Sequence, residues 1–116
     1  MFPIIELVDR YSIACLKFDK TQANKEELDF YVQQLSSFDI TVISQQLKDL
    51  YHIHSCIWDL EAELKAGKEQ SLSLEEIGRR AIKIRDNNNK RIALKNSMAE
   101  KLGCKVREIK KDHASE

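Results

Sequence analysis

One proline and three glycines punctuate a chain of 116 residues, and that scarcity constrains the fold more than any motif does. Glycine and proline end helices and open tight turns. A chain with so few of them predicts long helices and excludes a β fold of many short strands. The proline, at position 3, suits the first turn of a helix, where its missing N–H has no partner to lose. From it Ile4, Val8, Tyr11, Cys15 and Phe18 step by four, three, four and three, one face of a helix ending near Lys20. Asn24 with Glu27 three residues on has capping-box spacing. It opens a second helix, over about 25–37, that turns Leu28, Tyr31 or Val32, and Leu35 inward. Ser36, Ser37 and Asp39 mark the next turn.

The third helix is expected over about 40–66. Leu50, Ile53, Ile57, Leu60 and Leu64 form its stripe, and Gly67 is placed to stop it. Ser73 with Glu76 repeats the capping signal. A fourth helix then spans about 74–102 and stops at Gly103. The last two helices are each roughly 40 Å long at 1.5 Å per residue, and their short connection makes them antiparallel. The fold class is therefore all-α: four helices, a long antiparallel hairpin packed with a shorter helical pair. Residues 1–103 form a single helical domain, followed by a polar tail over 104–116. The shorter pair is too small to cover the hairpin, so leftover apolar surface predicts a homodimer.

Charge narrows the function classes. Lys plus Arg equals Asp plus Glu, 19 each, so no overall field draws the protein to nucleic acid or to an anionic membrane. No stretch approaches the roughly 20 apolar residues of a membrane helix, and no basic region followed by an apolar run opens the chain. A cytoplasmic protein is expected. Cys15, Cys56 and Cys104 are odd in number and far apart, as reduced thiols are. His52 and His54, two apart on a helix, cannot chelate together, and His113 lies in the tail. No metal and no cofactor are expected. Glycine-rich phosphate loops and nucleophile elbows are absent. The carboxylates of Glu26–Glu27, Glu61–Glu63 and Glu75–Glu76 do not supply the paired magnesium motifs of helical pyrophosphohydrolases.

The unusual feature lies in RRAIKIRDNNNKRIALKN, residues 79–96. Where the apolar stripe should be completed stand Asn88, Arg91 and Lys95. A hairpin turning near residue 70 sets Trp58 opposite Gly78–Ile82, where Gly78 and Ala81 leave room for the indole. It also sets Glu61 near Arg79 or Arg80, and His54 near Arg85 and Asn88. Glu6, Arg10 and Lys17 share a face of the first helix, which can be turned to this seam. The layer so assembled is Glu6, Arg10, His54, Trp58, Glu61, Arg85, Asn88, Arg91 and Lys95. It is either a network of paired charges that fixes helix register or, with cations in excess, a site for phosphate, carboxylate or an acidic peptide. As a site, it has candidate ligand-binding residues Arg10, Trp58, Glu61, Arg85, Asn88, Arg91 and Lys95. No residue is assigned a catalytic role.

With these residues in view, the chain resembles a family of small all-helical proteins of unknown function, often encoded near polysaccharide or lipopolysaccharide glycosyltransferase genes. The likeness rests on Ile13 to Lys17, on Ile57-Trp58-Asp59-Leu60-Glu61, on Arg85, Asn88 and Arg91, on Lys95-Asn96, and on Lys110 or Lys111 with Asp112 and Ser115. It implies a helical fold and a setting in surface-polysaccharide synthesis. The expected function is thus a non-enzymatic binding or accessory protein, partnered by a glycan-synthesis enzyme or an anionic small molecule. A more distant likeness, of EEIGRRAIKIRDNNNKRIALKN to the long first helix of all-helical chorismate mutases, gives the alternative. That alternative is a small enzyme acting on a phosphorylated or dicarboxylate substrate through the same cations.

Overall fold

A computed structural model describes residues 3–67 and 72–103 of the chain. The expected tail, with Cys104 and His113, lies outside the described residues. Four α-helices follow in order: α1 Ile4–Thr21, α2 Lys25–Leu35, α3 Ser44–Gly67 and α4 Leu74–Lys101. The architecture is all-α, as the periodicity requires. None of the described helices is long and apolar enough to cross a membrane.

Local chemistry sets the boundaries. The Pro3 carbonyl accepts from the amides of Glu6 and Leu7 and so opens α1. Gln22 closes it in the left-handed region, at φ 56°. Ser73 caps α4 as expected, its hydroxyl accepting from Glu76 N at 3.1 Å, and Gly103 follows at φ 74°. Asn24 precedes α2 but does not cap it with its side chain. Its amide donates instead to the Ala14 carbonyl at 3.0 Å and to Glu27 at 3.2 Å, which ties α2 to α1. The long third helix expected from residue 40 is divided. Asp39 accepts from Thr41 N and holds Ile40–Ile43 as a 3-10 turn, and α3 proper starts at Ser44.

Helices α3 and α4 run antiparallel: Arg80 meets Glu63 near one end, and Ile53 lies by Leu94 near the other. Helix α1 crosses both, pairing with α2 on one side and packing on α3 and α4 on the other. It is the central helix, and this changes which of its residues are buried. Of the expected stripe only Val8 is fully buried; Ile4, Tyr11, Cys15 and Phe18 are half-buried. A second stripe, Ile5, Asp9, Ser12 and Leu16, is buried throughout. These residues also step by four, three and four, and they face the long hairpin. Ile5, Leu7, Val8 and Ala14 join Tyr31 and Leu35 of α2, Ile43, Leu50 of α3, and Met98 and Ala99 of α4 in one apolar core.

That core occupies only one end of the hairpin. Among the described side chains, none between residues 55 and 94 is fully buried. The distal halves of α3 and α4 therefore form a two-helix arm. Arg80 joins Glu63 and Glu76 across and along it, and Leu74 is left 87% exposed.

Candidate functional site

The polar seam lies where the arm leaves the body, and its centre is Asp9, which the sequence reading did not select. Asp9 is 2% exposed. Its Oδ1 accepts from His54 Nε2 at 3.0 Å and from Arg91 Nε at 3.1 Å. Its Oδ2 accepts from Arg91 Nη2 at 2.7 Å, with Lys95 Nζ 3.9 Å away. Lys95, itself 3% exposed, donates to Glu6 at 3.0 Å. Burial pushes the Asp9 carboxyl up, but the hydrogen bonds from His54 and Arg91 and the charges of Arg91 and Lys95 outweigh it. The net effect holds Asp9 well below the usual carboxylate range. An arginine bound through two nitrogens to one carboxylate is the strongest ordinary form of such a pair. Of the two readings of the seam, the geometry matches the network of paired charges and not the cation-rich layer: Asp9 and Glu6 match Arg91 and Lys95.

Beside this network α1, α3 and α4 enclose a cleft of about 250 Å³. Its apolar surface comes from Ile13, Leu16, Ile57 and Trp58, and its polar groups are His54, Glu61, Asn88 and Arg91. Arg91 is shared between network and cleft. Two of its nitrogens hold Asp9, and Nη1 donates to Asn88 Oδ1 at 3.3 Å. That contact orients the Asn88 amide, whose N–H groups make no hydrogen bond among the described residues. His54 is oriented the same way, with Nε2 on Asp9 and its ring lining the cleft.

Of the residues singled out from sequence, Trp58, Glu61, Asn88 and Arg91 come together in this cleft, and Lys95 lies behind it in the buried network. Arg85 does not join them. Its side chain is 68% exposed and pairs with the adjacent Asp86 at 3.4 Å. Six residues at 3.6 per turn place it about 120° around α4 from Arg91. Arg10 is exposed and outside the cleft lining, because the residue turned to the seam is its neighbour Asp9, about 100° away on α1.

The expected hairpin register is also shifted. Arg80 meets Glu63, not Glu61. Trp58 lies with Asn88 and the α1 residues Ile13 and Leu16, not against Gly78. A Cβ placed at Gly78 would touch nothing within 4 Å, so room for the indole does not explain that glycine. Asp9 had one signal in the sequence: it is the single acid in the series Ile5, Asp9, Ser12, Leu16, and an acid in a buried stripe requires partners.

Compared with protein-family models, with curated proteins and with solved structures, the chain matches none.

Proposed function

We propose that the protein is a binding or accessory module that holds the sugar portion of a phosphate-bearing glycosyl ligand in the Trp58 cleft, in the setting of surface-polysaccharide synthesis. The observation that carries this reading is the composition of the cleft. One indole and three aliphatic side chains lie beside a carboxylate, a carboxamide, an imidazole and a guanidinium. A sugar ring has an apolar C–H face that suits the indole, and hydroxyls that both accept and donate. Asn88 offers donors and Glu61 offers acceptors, so hydroxyl groups satisfy both. Arg91, engaged with Asp9, borders the cleft as a fixed donor fork, and a phosphate attached to the ring would extend past it toward solvent.

The volume supports a ring rather than a whole nucleotide sugar. Pockets for complete small molecules occupy roughly 300–1,000 Å³, and this one is about 250 Å³. The alternative, catalysis on a dicarboxylate, needs several cations aimed at the substrate. It is less well supported, since Arg91 and Lys95 are matched by Asp9 and Glu6.

Trp58 is the one tryptophan in the chain, so its fluorescence reports on the cleft. Free sugars, sugar phosphates, nucleotide sugars, nucleotides and inorganic phosphate would be titrated at fixed ionic strength. Sugar-bearing phosphates should give a saturable change that weakens at least about tenfold in Asn88→Ala and in Glu61→Gln, near the loss of one hydrogen bond to a ligand. A flat response across the panel, or equal response to nucleotides with and without sugar, would refute the proposal.

A further inference from the structure

On the α1–α3 face lies a groove of about 310 Å³, lined by Tyr11, Ser12, Cys15, Leu47, Lys48 and Tyr51. None of these residues belongs to the Trp58 cleft. Most of its polar atoms are already engaged. The Tyr51 phenol donates to Asp19, which pushes it up to about 12, and the Tyr11 phenol and Cys15 thiol are engaged with each other. Two groups differ. Ser12 is 3% exposed, yet its Oγ has no hydrogen-bond partner among the described residues. Lys48 is exposed at the rim and has no ion pair among them.

A buried hydroxyl without a partner is uncommon in a folded protein and calls for an explanation. Ordered water is a poor one here, because water needs two to four polar partners and most of this wall is apolar. The volume is about twice the roughly 150 Å³ of an apolar cavity that takes up benzene. We infer that this groove is a second binding site, for an anionic amphiphile. Its acid head would accept from Ser12 Oγ and pair with Lys48, and its apolar body would lie on Leu47 and the rings of Tyr11 and Tyr51. The head can be a carboxylate or a phosphate monoester, since both offer the acceptors and the charge that Ser12 and Lys48 require.

The test is an amide-shift NMR titration of the full chain with decanoate, decyl phosphate and decanol, each below its aggregation concentration. The expected result is saturable one-to-one binding, with shifts centred on residues 11–15 and 47–51. One or both acids should bind at least about tenfold more tightly than the alcohol, and the stronger acid identifies the head. In Lys48→Ala, an exposed substitution that leaves the fold intact, that preference should vanish while the apolar contribution remains. Trp58 fluorescence should not change. No saturable shift, an alcohol bound as tightly as the acids, or a response centred on Trp58 would each overturn the inference. The first two outcomes leave sugar binding in the other cleft untouched.

Discussion

Replacing Asp9 by Asn tests whether the buried network is held by charge. Asparagine keeps the shape and one acceptor oxygen, so His54 and one nitrogen of Arg91 retain a partner. Its NH2 group, however, faces donors where Oδ2 had accepted from Arg91 at 2.7 Å with Lys95 at 3.9 Å. Arg91 then loses its compensating charge, and the buried Lys95 keeps only Glu6. Breaking a buried ion pair from one side costs about 3–5 kcal/mol, a large fraction of the roughly 5–15 kcal/mol that holds a domain together. For a chain of about this length each kcal/mol moves Tm by about 4 °C, so a fall of about 12–20 °C is expected at pH 7. The pH dependence follows in sign. Asp9 has a lowered value in the fold, so its stabilisation is complete above about pH 4, the unfolded carboxylate value. It is lost as pH falls through the lower folded value. The gap between wild type and Asp9→Asn should therefore narrow below about pH 4. Thermal unfolding by circular dichroism between pH 7 and pH 2 measures it. A variant within about 4 °C of wild type at pH 7, equivalent to about 1 kcal/mol, would refute the charge argument, as would a gap independent of pH. The variant Glu6→Gln, Asp9→Leu, Arg91→Met, Lys95→Met removes both pairs together and should recover part of the loss, His54 still lacking its partner.

Two further substitutions examine the arm. Gly78→Ala adds a Cβ that meets nothing within 4 Å inside α4, so it should raise stability by about 0.5–1 kcal/mol in chemical denaturation; destabilisation would mean that the glycine is packed against something. Arg85→Ala removes an exposed side chain paired only with Asp86 in the described contacts, so it should change stability by less than about 0.5 kcal/mol and leave the Trp58 titration unchanged. A tenfold loss of ligand affinity in that variant would return Arg85 to the site.

The four helices were legible because their signals are local. Apolar spacing, the Ser73 cap and the Gly103 stop each act within a turn or two. What was not legible depends on which helix is central. A single apolar stripe assumes one buried face, and α1 has two, with Val8 toward one side and Asp9 toward the other. Helical spacing on α1 groups Glu6, correctly, with Arg10, one residue past the hub. The same blindness to direction grouped Arg85 with Arg91, because residues spaced by three drift by about 60° per step around a helix. Asn24 shows the converse: its capping spacing is present, but its amide is used at 3.0 Å on the Ala14 carbonyl. Choosing between two hydrogen bonds of similar strength depends on where α1 lies, and local sequence does not contain that.

The seam's polarity has a consequence for what the cleft selects. If Arg91 were unpaired, the cleft would attract any small anion, and Glu61 would be a weak counterweight. With both oxygens of Asp9 on its guanidinium, Arg91 acts as a fixed fork more than as a free charge, and its remaining nitrogen sets the Asn88 amide. A bare phosphate at this point would meet the donors of Asn88 but also the carboxylate of Glu61, whose charge it shares. A neutral ring bearing hydroxyls meets both without that repulsion, and a phosphate attached to it can extend toward solvent, where like charges are screened within about 8–10 Å at ordinary salt. On the proposed reading, buried charge in this protein thus favours a ligand that is polar before it is anionic. Inorganic phosphate should consequently compete poorly with a sugar phosphate for the Trp58 cleft, even at high concentration.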